Sequence, residues 1–168
     1  MKFTQESSMR TWRTAVLLGV LAGVLAGCEG AITGTEVARV ALQPAASGER
    51  GAYAPVKFTL GPEMNPVAFN LRGDFTQEPH EFGKWNSYRA VLTHNGATVA
   101  TRNFNVNHPV NNPQDNTPPP TGTVHTLLYA DLSASGEYEL TITPSSPVAI
   151  TLKEPSVDAR RNVQRPPR

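Results

Sequence analysis

Wherever the apolar residues of this chain keep a period, the period is two. Val56, Phe58 and Leu60 alternate with Lys57 and Thr59; Val67, Phe69 and Leu71 repeat the spacing; Tyr138, Leu140 and Ile142 alternate with Glu137, Glu139 and Thr141. Side chains along a strand point to opposite faces in turn, so each run offers one face to a core and one to water. The runs are short and bounded by glycine or proline, of which the 168 residues hold 13 and 15, and no amphipathic stretch is long enough for a helix.

Further runs complete the set. VARVAL (residues 37–42) is a candidate first strand, TVHTLLYADL (123–132) reads as a strand covered on both sides, and VAITL (148–152) puts Val148, Ile150 and Leu152 inward. SVDARRNV (156–163) reads as a short edge strand. Asn95-Gly96 supplies the two positive φ values of a type I′ turn and predicts a β-hairpin between NSYRAVLTH and ATVATRNFNV. In the second of these the apolar phase slips between Val99 and Phe104, which predicts a β-bulge near Thr101 to Asn103. Arg72 to Trp85 lacks a period and is expected to be a long connection, with Gly73 of Arg72-Gly73-Asp74 placed to end a strand. Asn107 to Gly122 holds five prolines and four asparagines in 16 residues and is expected to be a surface loop. About eight short strands with regular turn signals predict an all-β fold, an antiparallel β-sandwich of immunoglobulin-like or jelly-roll type.

The amino terminus is separate from this pattern. Lys2, Arg10 and Arg13 precede an uncharged apolar stretch of 13 residues, Ala15 to Gly27. A membrane-spanning helix needs about 20 such residues, so the stretch fits the apolar region of a signal peptide. It ends on Leu25-Ala26-Gly27-Cys28, which contains the only cysteine of the chain. This box resembles the lipobox of bacterial lipoproteins. The resemblance implies that Cys28 is alkylated by a diacylglycerol, that the chain is cut before it, and that the new terminus is acylated, commonly with palmitate. Each buried acyl methylene contributes about 0.8 kcal/mol of membrane affinity, and two or three chains hold far more firmly than one. Glu29, rather than the aspartate that marks retention at the inner membrane in this family, implies the outer membrane, facing the periplasm.

With Cys28 consumed by lipid, the rest of the chain has no thiol for a disulfide, a metal or a nucleophile. The expected division is a signal peptide over 1–27, a lipidated tether over 28–36, a β-sandwich over 37–157 and a basic, proline-containing tail over 158–168. Residues 28–168 carry 12 basic and 13 acidic side chains, which gives no general attraction to nucleic acid.

No reactive constellation emerges. His80, His94, His108 and His125 lie on different predicted loops or strand ends without the spacing of metal ligands. No Gly-x-Ser-x-Gly elbow or glycine-rich phosphate loop is present. Neither an enzyme, a metal site nor a cofactor is expected. Candidate binding residues are the aromatics Phe75, Phe82, Trp85 and Tyr88, read mainly as closing one end of a core, and Arg160 and Arg161 of the basic tail. The carboxy-terminal segment 135–163 resembles the closing strands of uncharacterised β-sandwich lipoproteins of Gram-negative bacteria, a likeness that brings no activity.

The expected function is that of a non-catalytic, lipid-anchored envelope protein that binds another protein at the membrane. An immunity or inhibitor protein acting on a toxin is one form of this. A carbohydrate or peptidoglycan-binding module, suggested by the loop aromatics, and a structural subunit of an envelope assembly are the alternatives. Replacing Cys28→Ala is expected to move the protein from carbonate-washed membranes to the soluble fraction with its circular dichroism unchanged; membrane association that survives the wash would contradict the lipobox reading.

Overall fold

The first strand, β1 (Thr35–Ala41), pairs antiparallel with the last, β8 (Leu152–Arg161). Inside this pair are nested β2 (Val56–Leu60) with β7 (Gly136–Pro144), β3 (Val67–Phe75) with β6 (Gly122–Ala130), and β4 (Trp85–His94) with β5 (Ala97–Asn107). Cross-pairs β3 with β8 and β4 with β7 join them into two four-stranded antiparallel sheets, β1-β8-β3-β6 and β2-β7-β4-β5. A long hairpin folded over itself in this nested order is a jelly-roll sandwich, which decides between the two expected types. The coordinates are a computed structural model and describe residues 32–110 and 121–166. The signal segment, Cys28, the start of the tether and the middle of the Asn/Pro loop lie outside the described residues.

The alternating runs supply the core as expected. Val56, Phe58 and Leu60 of β2, Phe69 and Leu71 of β3, Tyr138, Leu140 and Ile142 of β7, and Val157 and Ala159 of β8 all point between the sheets and are buried. Phe58 and Phe69 meet edge to face across the gap, with ring centroids 5.3 Å apart, the arrangement that a ring quadrupole favours.

Several local expectations are corrected. The bulge of β5 falls at Val99 rather than at Thr101 to Asn103: Leu92 opposes Ala100 and Thr93 opposes Thr98, so Val99 is the extra residue. The phase thus changes just after the turn, and Phe104 and Val106 reach the core in one unbroken register. In β6 the adjacent buried residues Leu127 and Leu128 reflect a second bulge, since Phe69 opposes Leu128 and Asn70 opposes Thr126; β6 is the edge strand of its sheet, and Val124, Thr126 and Tyr129 along it are half-buried. Arg72, Gly73 and Asp74 continue β3 instead of ending it. VAITL is not a strand: Ile150 is buried, but the ladder begins only at Leu152. SVDARRNV lies in an interior strand, between β1 and β3, so β8 runs through the expected boundary at residue 158, and Asp158 to Arg161 belong to the sheet. At the other end, β1 starts at Thr35, inside the expected tether.

Nested pairing also sorts the connections. Those of residues 42–55, 76–84, 108–121 and 145–151 all leave the same end of the sandwich, whereas the shorter ones, 61–66, 95–96 and 131–135, turn at the other. Ile32 to Gly34 approach β1 at this second end, where Asn65 brackets Leu132 with two hydrogen bonds of 2.7 and 2.8 Å and Val163 N–H bonds to Pro66. Replacing Phe69→Ala is expected to cost about 3–5 kcal/mol of unfolding free energy, read from urea denaturation, because a rigid two-sheet core leaves the cavity unfilled.

Candidate functional site

The four long connections leave from one end of the sandwich, and a few buried polar side chains hold their described residues together. Asn86, at the start of β4, accepts hydrogen bonds from the backbone N–H of Ala149 (2.7 Å) and Ile150 (3.0 Å) and donates to the Ile150 carbonyl (2.8 Å) and the Tyr88 hydroxyl (3.0 Å). One amide thereby replaces the ladder that VAITL lacks. Glu81, 2% exposed, lies in a 3₁₀ turn (Pro79–Glu81) and accepts from the Thr76 hydroxyl and from the Thr151 N–H at 3.0 Å, with the Arg50 guanidinium 3.6 Å away. It ties three of the four connections to one carboxylate. His108, also buried, places Nε2 2.8 Å from the Thr76 carbonyl and Nδ1 3.0 Å from that of Pro109.

Burial acts to raise the Glu81 carboxyl, but the hydrogen bonds from Thr76 and Thr151 outweigh it and hold the group below the ordinary glutamate value. Its oxygens are occupied by structural partners, which suits an anchor of loops. Beside it, the connection over 42–55 folds across β8 and β4 to leave an open cleft of about 340 Å³. Leu42, Ala52, Val148, Ile150 and Leu152 wall the cleft, and the Tyr53 and Tyr88 phenols face it; burial pushes both phenols above the ordinary tyrosine value. Gly51, at φ +77°, lies where a Cβ would come within 2.6 Å of Val148, so the loop closes tightly at this point.

The aromatics singled out from sequence do not assemble into a platform. Phe75, 4% exposed, is core and packs on the His108 ring at 4.5 Å; Phe82, half-buried, covers the same ring at 5.1 Å. Tyr88 lies inside the sandwich, stacked on Phe104 at 5.4 Å. Trp85 alone is open, 57% exposed at the start of β4. Val110, 74% exposed, lies at the same end of the molecule.

Arg160 is likewise not the free cation of a tail. Its Nε and Nη2 donate to the carbonyls of Thr33 and Gly34 at 3.1 and 2.7 Å, and Nη1 lies 3.6 Å from Glu36. The centre of this network is Asp158, whose side chain is 0% exposed although it points away from the core. Arg72 Nε and Asn70 Nδ2 each donate to it at 2.7 Å, and Arg39 and Arg160 stand 3.9 and 3.7 Å off. Arg39 beside Glu36 holds that carboxyl below its usual range against the effect of burial. Arg161 is exposed, in register with Thr35.

Sequence reasoning missed Asn86, Glu81 and Asp158, polar residues that each have at least one partner more than 60 positions away: Ile150 for Asn86, Thr151 for Glu81 and Arg72 for Asp158. Among the described residues no three His, Cys, Asp or Glu side chains group as a metal-binding set, and no helix is long and apolar enough to cross a membrane. The chain matches no known protein family, no curated protein and no solved structure.

A depressed carboxyl stabilises the fold fully above the unfolded-state value of about 4.3, and the contribution is lost as pH falls through the lower folded-state value. Replacing Glu81→Gln is therefore expected to lower the melting temperature at pH 7 and to flatten its decline on acidification below about pH 4. A pH series of thermal melts reads both effects; an unchanged acid limb would show that Glu81 is not a stabilising anchor.

Proposed function

We propose that this chain is a lipid-anchored protein of the bacterial envelope that binds another protein, without catalysis, through the loop end of its jelly roll. The observation that carries the reading is the segregation of the connections. All four long ones leave from strand ends on one side, and the chain from Ile32 to Gly34 runs to the other. Cys28 is only four residues before Ile32, so a lipid on it would hold the second end at the membrane. The loop end would then stand beyond the length of β1, about 23 Å for seven residues.

The chemistry of that end suits a protein partner. Trp85 and Val110 offer exposed apolar surface on a backbone braced by Asn86 and Glu81. A large aromatic on a rigid support is what concentrates binding energy at protein interfaces. An immunity or inhibitor protein directed at a periplasmic toxin is a specific form of this reading, and the outer membrane its expected location.

Site-specific photo-crosslinking in intact cells tests it. A photoreactive residue in place of Glu49 or Trp85, both at the loop end, is expected to give one discrete protein adduct, and one in place of Asn95, in the opposite turn, is expected to give none. Equal labelling from both ends, or adducts from Asn95 alone, would overturn the proposal.

A further inference from the structure

The outward face of β4 and β5 has a composition that strand formation does not account for. In β4 the residues alternating with the buried Asn86, Tyr88 and Ala90 are Trp85, Ser87 and Arg89. Register sets them opposite Asn107, Asn105 and Asn103 of β5, which alternate with the buried Phe104 and Val106. Thr143 of β7 stands beside Arg89 on the other side. The three asparagines are exposed, and no hydrogen bond to a described residue holds their side chains.

Asparagine is among the residues depleted from strands, yet β5 places it at three successive outward positions. A local preference broken repeatedly on one face, with no packing gain, is the signature of a functional surface. Protection of an edge strand does not explain it. Edges are guarded by charge, proline or bulges, whereas aligned asparagines favour further strand pairing.

The chemistry of the face narrows the ligand. Each amide offers two donors and an acceptor in one plane, and Ser87 and Thr143 add hydroxyls. Trp85 adds an open, apolar ring at one end of the row. Arg89 is the single charge on this half of the face; the acidic residues Glu137 and Glu139 lie towards β2, where Lys57 pairs with Glu137 at 2.7 Å. One cation is too little for nucleic acid, and the row lacks the apolar centre of a protein interface. Neutral amides beside an aromatic ring match a chain of sugars, which presents hydroxyls at its rim and C–H groups on its ring faces. From the Trp85 level to the Arg89 level the row runs about 13 Å, room for a short oligosaccharide.

We propose that this face is a glycan-binding site, in which Trp85 stacks on a sugar ring and Asn103, Asn105 and Asn107 hydrogen-bond the hydroxyl or acetamido groups of a neutral linear glycan. The site shares Trp85 with the loop end, and the two readings are told apart by residues that belong to one of them alone: Asn103 and Asn105 on the sheet face and Glu49 in the loops.

Calorimetry and Trp85 emission test the proposal on the full chain in detergent, with Trp12→Phe leaving Trp85 as its only tryptophan. Chitohexaose and cellohexaose are the neutral probes, and a polygalacturonate oligomer is the anionic one. Saturable binding of at least one neutral hexasaccharide, with a shift in Trp85 emission, is expected. Replacing Trp85→Ala is expected to weaken it at least tenfold. The pair Asn103→Thr and Asn105→Thr, which suits a strand better, is expected to weaken it as much while leaving the melting temperature equal or higher. No saturable binding of either neutral sugar, binding of the anionic oligomer alone, or affinity that survives both threonine substitutions would overturn the proposal.

Discussion

Pairing of β1 with β8 joins the two ends of the domain, and every other strand pair is nested within it. Closing so long a loop is entropically the costliest contact in the fold, and it is made by the shared edge of a sheet that contributes little apolar area of its own at β1. Its specific reinforcement is polar. Arg160 of β8 grips the carbonyls of Thr33 and Gly34, and Glu36 of β1 takes both Arg39 and Arg160. The clamp aligns the approaching chain with the last strand, and once these are in register the direction of each inner strand, and thus the end at which each connection lies, follows from antiparallel pairing alone.

Asp158 shows why such a clamp tolerates no missing partner. A carboxylate withdrawn from water costs several kcal/mol unless charges and donors replace its hydration, and here Arg72, Asn70 and two more distant guanidinium groups do so. The network spans β1, β8 and β3 across the outer face of one sheet, so it fixes their mutual register as well as neutralising a charge. The opposite sheet is organised otherwise. On its outer face Thr93 and Thr101 bond to backbone carbonyls, while the amides of Asn103, Asn105 and Asn107 stay open to solvent, so the two outer faces of the sandwich differ in how far their polar groups are used internally.

At the loop end, stability is concentrated in few groups. Asn86 spends its acceptor and one donor on the segment that would otherwise have been a strand and its other donor on the Tyr88 hydroxyl, and Glu81 gathers Thr76, Thr151 and Arg50. The connections 42–55, 76–84 and 145–151 are thus tied to one another without a disulfide. The exposed Trp85 is seated on this braced framework, at the corner where the loop end meets the open sheet face.

Period-two alternation in β2, β7 and the first half of β3, with the Asn95-Gly96 turn, was enough to determine an antiparallel all-β sandwich, because side-chain alternation and turn conformation are local properties. The same locality explains what was hidden. Val99 and Leu127 became bulges only when a neighbouring strand demanded a register. SVDARRNV looked like an edge and a tail because its polar face is charged, and only the partners that β1 and β3 bring to Asp158 make an interior strand of it. Phe75 and Tyr88 are indistinguishable from Trp85 as aromatics in sequence; which of them faces water was decided by strand direction and by the packing of His108 and Phe104. The chain by itself determined that it would fold as strands and where it would turn. Tertiary structure decided which turns share an end and which polar faces are spent, since both depend on contacts between residues far apart in the chain.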